Sequence, residues 1–286
     1  MPIFELERAG SRRSQWGEGP TFHEGRLLYV DIEGHDVIIL DPTDESEKVI
    51  PCGERVGTVV PRLSGGLVIA GDNGFSAVDP DTGAVTPMTD PEADQPGNRF
   101  NDGKCDPAGR LWAGSISLDR KPEAALYRLD TEGVATKMFG PVTNSNGLCW
   151  SADKATMFYI DTPRKEVTAF DFDNAAGEIS NQRQLVDTSA LDGVPDGMTI
   201  DADGNLWVAM CKGSTVRCFS SQDGALIHTI DMPTNCPTAA AFGGDDLGTL
   251  FITTGQHSSA PDDENSGYLY AYRPGVQGVP AFSYAG

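Results

Sequence analysis

One phrase of polar and apolar residues recurs along the chain: a glycine or polar turn, then a short run of aromatic and β-branched residues. The copies read GRLLYVDIEG from Gly25, GGLVIAGDNG from Gly65, GRLWAGSI from Gly109, KATMFYIDT from Lys154, GNLWVAM from Gly204 and GTLFITTG from Gly248. Their starts lie 40, 44, 45, 50 and 44 residues apart. Each run is bounded by Gly, Asp or Pro, the mark of a β-strand between turns. A second run follows each copy, as in DVIILDP from Asp36 and YLYAYRP from Tyr268. A third, less regular, comes next, as in EKVIPC and ALIHTIDM, and a fourth precedes the phrase, as in PTFHE and GMTIDA.

Four strands per unit and six units predict an all-β chain, a six-bladed β-propeller with four antiparallel strands per blade. Residues 1–286 are expected to form it as one domain. A solenoid would repeat at shorter intervals and a sandwich would not repeat, and no long apolar stripe of helical period competes. The run from Ile3 to Ala9 lies outside the six copies and is a candidate closing strand between first and last blades.

Charge narrows the partners. The chain carries 42 acidic and 21 basic side chains, a formal charge of −21, so the clustered positive charge that binds nucleic acid or an anionic membrane is missing. Most of the excess is Asp, read as a solvated surface or as adaptation to salt. The six cysteines, Cys52, Cys105, Cys149, Cys211, Cys218 and Cys236, show no C-x-x-C pair or zinc spacing and are read as buried, reduced thiols. The N-terminal MPIFELERAGSRR has no apolar core, and no stretch approaches the roughly 18 apolar residues of a membrane span. The expectation is a cytoplasmic protein with a small-molecule partner, no nucleic acid and no membrane, its oligomeric state left open.

In a propeller the innermost strands line a central channel, so their first residues converge at one mouth. Eight residues before the phrase stand Asn101, Asn146 and Asp196, and Glu18 stands seven before it, each against glycine in GEGP, NDG, SNG and PDG. The second and sixth repeats offer only VGTVVP and NCPTA. Asn-Gly and Asp-Gly are common turn pairs, so any one of these positions alone reads as a turn. Three at one offset and a fourth one residue away read as an oxygen cage. Glu18, Asn146 and Asp196 would supply two charges and a neutral carbonyl to a hard divalent cation, leaving coordination open to water and substrate. Asp102 could orient a ligand from behind or cap the turn, and the turn is the preferred reading; His23, His257 and the polar segment Gln256 to Gly267 read as structural or surface features.

The motifs WGEGP, NRFNDGKCDPAGRLWAG, NSNGLCWS, VPDGMTIDADGNLWVA and GVPAFSYAG together resemble the gluconolactonase / regucalcin (senescence marker protein) / luciferin-regenerating enzyme family over nearly the whole chain. The resemblance implies a six-bladed propeller, one divalent metal in the channel and hydrolysis of sugar lactones to aldonic acids. It puts metal-ligand duty on Glu18, Asn146 and Asp196 and substrate binding on Arg99 and Asn101, with Asn101 a metal ligand in some relatives. Ca²⁺ is the expected ion, with Zn²⁺, Mn²⁺, Mg²⁺ or Fe²⁺ as alternatives. Some relatives place a substrate-touching glutamate shortly before the ALY run; here that segment is LDRKPEAALY, and Glu123 does not match its spacing.

Lactone opening needs a polarised carbonyl, an attacking water and a base. Asp196 is the candidate catalytic base, Glu18 a plain ligand, and Arg99 and Asn101 donors to ring hydroxyls or product carboxylate. The rivals are hydrolysis of other lactones or of phosphotriesters at the same site, and a non-catalytic calcium-binding propeller.

Overall fold

The computed structural model describes residues 6–256 and 262–286. Its strands pair into six four-stranded antiparallel sheets, each holding consecutive strands except the last. The inner strands of blades 1 to 6 are Gly17–His23, Val56–Pro61, Asn98–Cys105, Ser145–Trp150, Val194–Ile200 and Pro237–Gly243. Each touches the next around a ring. The six repeated phrases are the second strands, as the spacing predicts. A 3-10 turn, Thr162–Arg164, is the one helical element among the described residues.

Blade 6 shows how the ring closes. Its strands Pro237–Gly243, Thr249–Thr254 and Tyr268–Tyr272 are joined by the N-terminal strand Glu7–Arg13, which pairs Glu7 with Ala271 and Arg13 with Tyr268. Of the candidate closing run from Ile3 to Ala9, Glu7 to Ala9 fall in this strand, and residues 1–5 lie outside the described residues. Pairing the two ends of the chain in one sheet latches blade 6 to blade 1, and the ring leaves only short outer edges.

Packing between blades is apolar and aromatic. Trp112 of blade 3 meets Trp150 and Phe172 of blade 4 at centroid distances of 6.1 and 6.0 Å. A buried carboxylate serves each of two second-strand tryptophans: Asp106 accepts from Trp112 Nε1 and Asp201 from Trp207 Nε1, both at 2.9 Å. A buried indole N–H needs such a partner, which gives the Asp in DPAGRLW and DADGNLW a structural task away from the channel mouth.

The C-terminal segment spans the far end of the channel. Val279 to Phe282 meet the ends of the inner strands at Phe22, Trp150 and Phe242 around an apolar hollow. Tyr284 is fully buried; its N–H donates to Pro61 O and its hydroxyl to Asp130 O, at 2.8 and 2.6 Å. Ala285 N donates to Gly109 O at 2.9 Å. A Cβ on Gly109 would stand 2.6 Å from the Ala285 Cβ, so that turn needs glycine.

The reading of six reduced thiols is corrected. Cys211 ends the second strand of blade 5, Cys236 precedes the inner strand of blade 6, and the two form a disulfide across a Cα separation of 4.3 Å. The end of the second strand of blade 5 thus lies beside the start of the inner strand of blade 6, a proximity that a separation of 25 residues does not announce. Cys52, Cys105, Cys149 and Cys218 remain free thiols.

Candidate active site

Each inner strand slips register against its second strand at one place: between Glu18 and Thr21, Val56 and Thr58, Phe100 and Gly103, Asn146 and Leu148, Pro195 and Met198, and Pro237 and Ala239. The glycine pairs that read singly as turns are therefore bulges inside strands, and a bulge re-aims the side chain beside it. Glycine is required there because neighbouring inner strands nearly touch. A Cβ on Gly147 would lie 2.6 Å from Asp196 O, and one on Gly197 2.4 Å from the Ala239 Cβ.

Glu18, Arg99, Asn101, Asn146 and Asp196 all line one cavity at this mouth. Glu18, Asn101, Asn146 and Asp196 are buried. Glu18 Oε2 accepts from Gly19 N at 3.0 Å. Asn101 donates to Ser145 O at 2.8 Å and accepts from Arg99 Nη1 at 3.0 Å. Asn146 Nδ2 donates to Thr162 Oγ1 at 3.0 Å and also to Asp196 Oδ1. Thr162 in turn donates to Pro195 O at 3.0 Å, tying blade 4 to blade 5.

Asp102 corrects the sequence reading. It sits within the inner strand of blade 3, buried, with Oδ1 accepting from Gly103 N at 2.7 Å. Its charge acts on both Glu18 and Asp196. Burial pushes the Glu18 carboxyl well above its ordinary range, with repulsion from Asp196 and Asp102 adding to it. Burial likewise pushes Asp196 up to about 8; the bond from Asn146 pulls it down and Asp102 pushes it further up. Asp102 is raised by its own burial, partly offset by Lys104. Arg99 is lowered to about 10, chiefly by burial and then by Arg55.

These are costly charges without a bonded counter-ion among the described residues, and a divalent cation among them would remove the cost. The donor set of two carboxylates and an amide oxygen fits a hard cation. Ligand duty would have Asn146 present Oδ1 where Nδ2 now faces Asp196, an exchange made by a half-turn of the amide. No group of three or more His, Cys, Asp or Glu side chains is arranged for a metal among the described residues. Glu18, Asn146 and Asp196 form a set of another kind, with two carboxylates and an amide as the third oxygen donor.

Other side chains at the mouth have no mark in the repeat. Asn144 lines the cavity with a buried Oδ1 that meets no donor among the described residues. Arg120 and Lys212 also line it. Glu123 does not: it is exposed, and its hydrogen bonds are main-chain ones, its oxygen accepting from Asn98 Nδ2 at 3.3 Å and its N–H donating to Lys121 O at 2.8 Å. His23 is half-exposed at the end of its strand, and His257 lies outside the described residues.

The fold and this mouth define a class, a six-bladed propeller with carboxylate and amide oxygens gathered at one end of its channel. The chain belongs to the SMP-30/Gluconolactonase/LRE-like family, whose pattern matches residues 16–256. It is 36% identical to regucalcin of Xenopus laevis, with all of both chains covered. It is 38% identical to the Bacillus subtilis protein named "Putative sugar lactone lactonase YvrE", over 85% of this chain and 84% of that one. Among solved structures it matches a calcium-binding protein, regucalcin, from Agrobacterium tumefaciens, with a TM-score of 0.92, 25% identity, and 98% and 97% of the two chains covered. No helix among the described residues is long and apolar enough to cross a membrane.

Proposed function

We propose that the protein hydrolyses sugar lactones to aldonic acids with one divalent cation, Ca²⁺ before the alternatives, held by Glu18, Asn146 and Asp196. The observation that carries this reading is that these three side chains, with Arg99 and Asn101, line one cavity although they come from four blades. The lactonase name of the Bacillus subtilis relative and the description of the Agrobacterium relative as a calcium-binding protein support substrate and ion respectively.

A divalent cation, when bound, polarises the lactone carbonyl as a Lewis acid. Asp196 takes the proton of the attacking water, and that proton leaves on the ring oxygen as the ring C–O bond breaks. Asp196 suits that task because one carboxylate oxygen can hold the cation while the other takes the proton. Arg99 holds a buried Nε without an acceptor among the described residues, a donor left for a ring hydroxyl or the product carboxylate. Asn101 is fixed by Ser145 O and Arg99 beside it.

A pH-indicator assay over gluconolactone, galactonolactone, xylonolactone and arabinonolactone tests the reading, run after chelation and after return of Ca²⁺, Zn²⁺, Mn²⁺, Mg²⁺ or Fe²⁺ singly. Chelation is expected to abolish turnover and one ion to restore it. Full activity in protein shown metal-free by elemental analysis would overturn the metal requirement. Calcium binding with no turnover of any lactone would point instead to a non-catalytic calcium-binding propeller.

A further inference from the structure

The cavity lining is basic where the molecule is acidic. Its acidic side chains are Glu18 and Asp196, and its basic ones are Arg99, Arg120 and Lys212. Arg99 comes from the inner strand of blade 3, Arg120 from the loop after its second strand, and Lys212 from just past the second strand of blade 5. The cations therefore enter from blades on both sides of blade 4, which contributes Asn144 and Asn146.

Arg120 and Lys212 are exposed, and neither side chain makes a hydrogen bond or ion pair among the described residues. Several other cations do find acids: Arg12 pairs with Glu47, Arg26 with Asp41 and Arg183 with Asp171. Two carboxylates near the rim are paired with other cations, Asp119 with Lys121 and Asp72 with Arg55, while Glu33 acts on Arg99 and Asp196 on Arg120 through charge alone. In a chain of formal charge −21, two unpaired cations on one rim are not what acidic composition produces by default. A divalent cation on Glu18 and Asp196 would cancel both carboxylates and leave three basic side chains facing the substrate. Such a lining attracts negative charge and raises its local concentration. The unmet Asn144 Oδ1 adds an acceptor for a hydroxyl donor.

We propose that the substrate is a polyhydroxylated lactone bearing an anionic substituent, carboxylate or phosphate, away from the ring carbonyl, with Arg120 and Lys212 holding that substituent and Asn144 a hydroxyl. This rests on the lactonase reading and specifies its substrate class: lactones of sugar diacids or of phosphorylated sugar acids. In the reaction one water oxygen bonds to the ring carbonyl carbon, the ring C–O bond breaks, and the new carboxylic acid releases one proton, giving a product with at least two negative charges.

The test compares kcat/KM for glucarolactone, phosphogluconolactone and neutral gluconolactone with the metal-loaded enzyme, and equilibrium binding of glucarate, phosphogluconate and gluconate by calorimetry. The expected result is a preference for an anionic lactone of about tenfold or more, the worth of one charged hydrogen bond. That preference should shrink at high salt and in Arg120→Ala and Lys212→Ala. The better of glucarolactone and phosphogluconolactone identifies carboxylate or phosphate. Equal or better use of gluconolactone, or a preference that both variants leave intact, overturns the proposal. If no lactone is opened, the lactonase reading fails while the anion subsite is still decided by binding. Glucarate or phosphogluconate held more tightly than gluconate through Arg120 and Lys212 supports it, and equal affinities overturn it.

Discussion

The two ends of the channel are built from the same six inner strands and obey opposite rules. At one end Glu18, Asp102 and Asp196 are buried within reach of one another's charge, the backbone is bulged, and glycines let strands approach to distances a Cβ forbids. At the other end Val279 to Phe282 cover apolar side chains, and Tyr284 sits fully buried with both its main-chain and hydroxyl groups bonded. The first end keeps groups that cost stability and the second recovers it by packing. Such a division is expected where a site needs charge out of water.

The sharpest way to break this comparison is a pair of variants, one at each end. Asp196→Ala should lower kcat/KM for lactones by about a thousandfold or more, the scale of losing a base that also holds the metal. Its thermal midpoint should hold or rise, because one of three mutually repelling buried carboxylates is gone. A large fall in midpoint with turnover intact would reverse the assignment of this end. Tyr284→Ala should do the converse, destabilising the fold by about 3 kcal/mol through the cavity it leaves, with turnover per folded molecule unchanged. Denaturant unfolding monitored beside activity separates the two outcomes.

The smallest effect concerns a link at the site end itself. Cys211 lines the cavity and is joined to Cys236, so blades 5 and 6 are cross-linked at the mouth. Thiol titration of the denatured, unreduced protein should count the four free thiols of Cys52, Cys105, Cys149 and Cys218. A count of six would show that packing alone holds that mouth.

Much of the fold was legible because propeller information is local. A strand bounded by turn residues declares itself within about ten residues, and six repetitions leave few other architectures. The site was legible in part for the same reason, since Glu18, Asn101, Asn146 and Asp196 occupy nearly equivalent positions in their repeats. Asp102 reads first as a turn because Asp precedes Gly, and its place inside a strand, at the slip between Phe100 and Gly103, exists only once the two strands pair. Glu123 drew attention by its closeness to the ALY run, yet Arg120, three residues earlier, is the side chain in the cavity.

What the amino-acid order determined by itself is the set of strands, their number per blade and the recurring oxygen-bearing positions, because each depends on neighbours in sequence. What only the tertiary structure decided is which groups from distant repeats share one space. The disulfide between blades 5 and 6, the latch of Glu7–Arg13 onto Tyr268–Tyr272 and the basic rim of Arg99, Arg120 and Lys212 belong to that second kind. Closing the ring brings these residues together, and proximity across a closed ring is a property of the whole chain that no single repeat contains.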